Sequence, residues 1–209
     1  MALPLLRGKL LYVYDPMCSW CWGYRPVWLA VSSSLKDRIQ IGYVLGGLAP
    51  DNDEPMPENM KSFLQQTWRR IEQQLGTEFN HDFWSTCAPR RDTYKACRAS
   101  LAARYQGKEE AMVHGIQQAY YLRAMNPSDY GVLEQVAQNC ELDLEKFTRD
   151  IYSQELNEKL MEEIEFAQTL PIQGFPSLVL QKESSLVPIP VDYSNPENTV
   201  RAILDLMSV

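Results

Sequence analysis

No stretch of this 209-residue chain approaches the roughly 18 consecutive apolar residues that a membrane-spanning helix needs. It also lacks a basic surplus. Twenty Lys and Arg stand against 27 Asp and Glu, and the net charge of −7 argues against nucleic acid as a main partner. Histidine is scarce. His81 and His114 and the scattered cysteines show no ligand spacing, so no metal site is expected. The opening Met1-Ala2-Leu3-Pro4-Leu5-Leu6-Arg7 lacks a cationic stretch followed by a long apolar one. The expectation is a protein without a signal peptide, located in the cytoplasm. Five cysteines are too few, and odd in number, for a disulfide-stapled secreted domain. Internal repeats and low-complexity tracts are missing as well.

What the chain does have is ordinary globular composition, 45% apolar and 22% charged, and one pointed motif. Cys18-Ser19-Trp20-Cys21 follows the apolar run Leu10-Leu11-Tyr12-Val13-Tyr14 and precedes a helical pattern. Two thiols three residues apart at a strand-to-helix turn can close a small disulfide ring. The first lies where a helix N-terminus favours a thiolate. A thiolate attacks a substrate disulfide, and a second thiol resolves the mixed disulfide. Cys18 is therefore the expected attacking thiol. Cys21, one turn in, is the expected resolving thiol and much the less exposed of the two.

Periodicity organises the rest. Lys9 to Tyr14 and Ile39 to Leu45 read as parallel strands joined by a helix that Pro26 should kink. From Gly46 to Pro55 the texture is that of a loop. Helical stripes follow: Met60, Phe63, Leu64, Trp68, Ile71 and Leu75; then Tyr94, Cys97, Leu101 and Tyr105; then Met112, Ile116 and Tyr120. Tyr130, Leu133, Ala137 and Cys140 form the next, with Ser128 as its expected cap. Asp143 should cap a short helix, and Leu160, Ile164 and Ala167 mark a sixth. After Pro171 come the turn Gly174-Phe175-Pro176 and a strand from Ser177. A second strand near Leu186 is confined to a sheet edge by Pro188 and Pro190. Asn195-Pro196-Glu197 opens a last helix. The outline is α/β: β-α-β, an all-helical insertion over residues 51–170, then β-β-α. Residues 1–50 and 171–209 make up the sheet-bearing part.

This outline resembles the thioredoxin-like fold of DsbA-like proteins, in particular their cytosolic DsbA/FrnE-like branch of predicted protein-disulfide isomerases. The resemblance is carried by Asp15-Pro16-Met17-Cys18-Ser19-Trp20-Cys21-Trp22, by Asp92-Thr93 with Ala96 and Arg98, by the run from Leu142 through Phe147 to Leu160, and by Gly174-Phe175-Pro176-Ser177. It implies a cis Pro176 facing the dithiol and a Phe175 backbone offered to an extended substrate. With Trp20 between the cysteines, these are the implied substrate-binding residues. The implied activity is thiol–disulfide oxidoreductase or protein-disulfide isomerase. Its redox group would be the protein's own dithiol, with glutathione as a candidate co-substrate and a disulfide- or thiol-containing polypeptide or small thiol as substrate.

Two departures stand out. Ser-Trp between the cysteines supplies no charge, and Tyr12 occupies a position that is a buried acid in many relatives. Kappa-class glutathione transferases and hydroxychromene-carboxylate isomerases resemble this fold too, but need no Cys21. A non-catalytic peptide-binding module is the other alternative. Cys97 and Cys140 read as buried apolar positions, whereas Cys87 leaves open a second pair with Cys97.

Overall fold

β1 (Lys9–Tyr14) and β2 (Gln40–Leu45) run parallel, with Tyr12 opposite Tyr43, and are joined by α1 (Ser19–Leu35). The computed structural model describes residues 8–183 and 185–208. The Met1–Arg7 segment, from which no signal peptide is read, lies outside them. Seven helices follow β2: α2 (Glu58–Leu75), α3 (Phe83–Thr86), α4 (Tyr94–Arg104), α5 (Glu109–Tyr121), α6 (Tyr130–Asn139), α7 (Leu144–Ile151) and α8 (Gln154–Thr169). The chain then returns to the sheet as β3 (Ser177–Lys182) and β4 (Ser185–Ile189) and forms α9 (Pro196–Met207).

The strand order is β2-β1-β3-β4, with β3 antiparallel to both neighbours. This is the thioredoxin-like arrangement that the sequence outline implies. β1 is central and buried on both faces, as its uninterrupted apolar run requires. Leu10, Tyr12 and Tyr14 face the larger core with α1 and the helical block. Leu11 and Val13 face the other way, with Val44, Val179, Ala167 and Leu170. β4 is the edge strand, where Pro188 removes no interior ladder bond.

Local chemistry sets the helix ends. Asp143 accepts from the Lys146 amide, Ser153 from Leu156 and Asn195 from Glu197, each satisfying a first-turn donor. α1 continues through Pro26. Several expectations need correction. Ser128 is not a cap: its hydroxyl donates to the Asp92 carbonyl, and Asp129 holds the cap position of α6 without a side-chain bond. Phe63 and Tyr105 lie on apolar stripes, yet both are exposed. The stripe on α2 is broader than the surface it covers, and only Trp68 and Ile71 are fully sealed there. α3 is a single turn, too short for any periodicity to reveal.

One ionic cluster fastens the helical block to the sheet. Arg104 of α4 donates to Glu109 of α5 at 2.6 and 2.8 Å and to Glu163 of α8 at 2.7 and 2.9 Å. Glu109 also accepts from the Tyr14 hydroxyl of β1 at 2.8 Å. Glu163 also accepts from the Leu45 amide at the end of β2 at 2.7 Å. Both carboxylates are largely buried, so removing the guanidinium strands two negative charges. Arg104→Met should therefore cost roughly 2–4 kcal/mol of stability, read as a lower urea midpoint at unchanged slope. A loss below ~1 kcal/mol would mean the cluster behaves as a surface pair.

Candidate active site

Asp15 shapes the turn that presents the two thiols. Its carboxylate is fully buried and accepts four bonds: from the Met17 amide at 2.8 Å, the Leu48 amide at 2.7 Å, the Thr93 hydroxyl at 2.7 Å and the Cys97 thiol at 3.6 Å. The β1–α1 turn, the loop after β2 and the start of α4 are thus held by one side chain. The Cys18 amide closes the turn on the Asp15 carbonyl at 3.0 Å. Two further contacts come from the helical block. Tyr121 donates to the Met17 carbonyl at 2.7 Å, and Trp68 donates to the Ser19 hydroxyl at 3.0 Å.

Cys18 occupies the cap position of α1. Its sulfur accepts from the Cys21 amide at 3.4 Å and lies 3.4 Å from the Phe175 carbonyl. The Phe175–Pro176 bond is cis, as the resemblance implies. The expected contrast in exposure is small: Cys18 is 6% exposed and Cys21 1%. Cys18 is covered because Phe175 and the helical block roof the turn. What separates the two is direction. Cys18 borders a groove of about 190 Å³ with Trp20, Met56, Phe63, Arg91 and Phe175, whereas Cys21 turns into the core. Burial, then the adjacent Cys18 sulfur, pushes the Cys21 thiol well above the usual range.

Phe175 reaches its place because Gly46 has no side chain. A Cβ there would overlap the Phe175 ring. Gly47, beside it, has a φ of +62°, a backbone conformation that favours glycine. Trp20 is half-buried, with its ring edge-on to Tyr193 at 5.3 Å. Tyr12 lies behind Cys21, stacked on Trp28 at 4.2 Å and on Tyr14 at 5.3 Å. All five cysteines are free thiols. Cys97 is committed to Asp15 and Cys87 to the Ala124 carbonyl at 3.0 Å, so the two do not form a disulfide here. No metal-ligand cluster occurs among the described residues. No helix among them is long and apolar enough to cross a membrane.

Sequence reasoning missed Phe63, Arg90 and Arg91 at the groove. Phe63 follows the apolar period of α2, yet at 61% exposed it stands at the rim of the groove. Arg90 pairs with Asp129. The two arginines sit just before Asp92-Thr93, which the resemblance does flag, and that adjacency was the available signal.

A dithiol at a helix start, facing a cis-proline turn inside a thioredoxin-like sheet, defines a recognisable class. The sequence model of the family described as Thioredoxin matches residues 11–186, and the chain belongs to that family. It is 27% identical over 192 residues, 88% of its length, to the ClpXP adapter protein SpxH of Bacillus subtilis. It spans 63% of that relative, less than two thirds. Among solved structures it is similar to a candidate protein disulfide isomerase from Nitrosomonas europaea, at TM-score 0.83, 23% identity, and 96% and 97% coverage of the two chains. It is also similar to the cytosolic disulfide reductase DsbM of Pseudomonas aeruginosa, at TM-score 0.78, 23% identity, and 96% and 98% coverage. These likenesses establish the thioredoxin-like fold with the helical insertion of DsbA-like proteins.

The carboxylate of Asp15 yields a pH test. Burial raises its pKa, and the four donors pull it back only in part. The folded chain thus holds the Asp15 proton more tightly than the unfolded chain does. From this group alone, stability is fully present below the unfolded value of about 4 and is lost as pH rises through the raised folded value. Asp15→Asn removes the titration and sets an NH2 group against the donors of one carboxylate oxygen, either Met17 at Oδ1 or Leu48, Thr93 and Cys97 at Oδ2. The advantage of the wild type over this variant should therefore shrink as pH rises from about 4. Urea unfolding across that range measures it; a growing advantage would contradict the assignment.

Proposed function

We propose that this protein is a thiol–disulfide oxidoreductase whose redox centre is the Cys18–Cys21 dithiol. The observation that carries this reading is the placement of the Cys18 sulfur at the cap of α1, 3.4 Å from the Phe175 carbonyl beside cis Pro176. An extended substrate segment laid along the Phe175 backbone would bring its disulfide to Cys18. The Cys18 thiolate then attacks, and Cys21 resolves the mixed disulfide. Trp20, Phe63 and Arg91 border the groove that such a substrate would enter. Glutathione is the co-substrate we favour. Arg91 suits a small anionic thiol peptide, and the similar DsbM is described in a structure with GSH, at 22% identity. DsbM is also described as cytosolic, which agrees with a cytoplasmic location inferred from sparse, unpaired cysteines.

A second reading has its own support in the SpxH relatives, described as adapters of ClpXP. On that reading the groove holds a polypeptide and the thiols are dispensable. A chain carrying both Cys18→Ser and Cys21→Ser separates the two. It should lose thiol exchange down to the background of Cys87, Cys97 and Cys140, and on the adapter reading alone it would still promote degradation of a bound polypeptide by ClpXP.

Redox titration tests the primary reading. Trp20 and Trp22 flank Cys21, so tryptophan emission should change when the ring closes. Against defined ratios of reduced to oxidised glutathione we expect one two-electron transition at roughly −130 to −250 mV, absent in Cys21→Ser. Were no disulfide to close at any ratio while reduced glutathione still bound, a transferase or isomerase of the kappa type would take its place.

A further inference from the structure

Resolution by Cys21 leaves one proton to be placed. The thiol is 1% exposed, its acidity is suppressed by burial, and it must be deprotonated to attack. Tyr12, within reach of Cys21, is a phenol that burial keeps protonated.

A cavity of about 20 Å³, which Cys18 does not border, lies against Cys21. Tyr12, Arg25, Tyr43, Glu110 and Gln117 are among its other walls. That volume accommodates about one water molecule. Gln117 of α5 is 2% exposed, and its Oε1 has no hydrogen-bond partner among the described residues. A buried acceptor in such a position is satisfied by ordered water. Glu110, another wall of the same cavity, is exposed and accepts from the Tyr43 hydroxyl at 3.0 Å.

The remaining groups around Cys21 do not serve as acceptors leading to solvent. Asp15 and Cys18 belong to the β1–α1 turn, and Asp15 is fully buried under four donors. Tyr121 of α5 donates to Met17. Tyr193, between β4 and α9, is a phenol raised by burial. Glu109 is taken up by Arg104 and Tyr14. Arg25, on the same helix as Cys21, is within electrostatic reach of Glu110. Glu110 is therefore the exposed carboxylate at this cavity.

We propose that the cavity is the proton exit of Cys21: a water held by Gln117 Oε1 and the Tyr12 phenol takes the thiol proton and passes it to the Glu110 carboxylate. This rests on the oxidoreductase reading above. In the balanced step, Cys21 loses its proton along this route, and its sulfur attacks the Cys18 sulfur of the mixed disulfide. The Cys18–Cys21 bond forms and the bond from Cys18 to the substrate sulfur breaks. The substrate leaves as a thiolate that takes a proton from solvent. The dithiol is oxidised by two electrons and the substrate disulfide is reduced. Gln117 is a positioning residue, and Glu110 is the terminal acceptor.

The test uses the reduced full-length chain and one equivalent of a chromogenic nitrobenzoate disulfide, followed by stopped flow. The first aryl thiolate released reports attack by Cys18, and the second reports resolution by Cys21. Cys18→Ser gives the background from the other thiols. In both Gln117→Leu and Glu110→Gln the ratio of second to first rate should fall about tenfold or more. The second release should also become more steeply dependent on hydroxide, approaching about tenfold per pH unit below the thiol pKa. An unchanged ratio in either variant, or equal slowing of both phases, overturns the route. A wild-type chain with no second release would sink the oxidoreductase reading along with it.

Discussion

The buried carboxylate of Asp15 is the constraint on which the rest of the site depends. A carboxylate with no solvent contact is costly unless every lone pair is used. Here the Met17 and Leu48 amides, the Thr93 hydroxyl and the Cys97 thiol all converge on it. Satisfying that one group fixes three segments far apart in sequence. The cysteine turn cannot shift without stranding an amide, and α4 cannot withdraw without unpairing Thr93. Cys97, a free thiol in the helical block, acts here as a donor in this network.

The helical block is anchored a second time. Arg104 bridges Glu109 and Glu163, which in turn take the Tyr14 hydroxyl and the Leu45 amide. Both anchors grip the same strand ends, one at Asp15 after β1 and the other at Tyr14 and Leu45, which end β1 and β2. The cavity along Cys21 is walled by α1, both strands and α5, and the Cys18 groove by the turn, α2 and the segment before α4. Neither would keep its shape if the block could rock on the sheet. Buried pairs of this kind add little net stability compared with an apolar core. What they supply is one defined placement.

Much of this was legible in the sequence because the signals were local. The continuous apolar run of β1 announced a strand buried on both faces. Asp143 and Asn195 announced their helix starts. The CxxC spacing and Gly174-Phe175-Pro176 fixed the two halves that meet at Cys18. The failures were of another kind. Phe63 obeys the helical period of α2, yet the surface that would cover it is a groove, and periodicity reports only which face a residue shares. Ser128 has cap chemistry, but tertiary contact with Asp92 claimed its hydroxyl. Asp15 stood in the quoted motif, while its partners Leu48, Thr93 and Cys97 lie 33 to 82 residues away. No spacing rule reaches that far.

Tyr12 places a neutral group behind the two thiols and packs there as part of the core. An acid at this point would add a negative charge behind two thiols, with Asp15 already close by, and would disfavour a Cys21 thiolate. The phenol stays neutral. It stacks on Trp28 and Tyr14 and meets the edge of Tyr43, so the aromatic cluster gains contact where a carboxylate would need donors. β1, Lys9-Leu10-Leu11-Tyr12-Val13-Tyr14, thus presents no carboxylate to Cys21. An exposed carboxylate must then be reached from elsewhere, and the one at this cavity, Glu110, comes from the helical insertion. On this reading the insertion both roofs the substrate groove and completes the proton balance of the sheet's own dithiol.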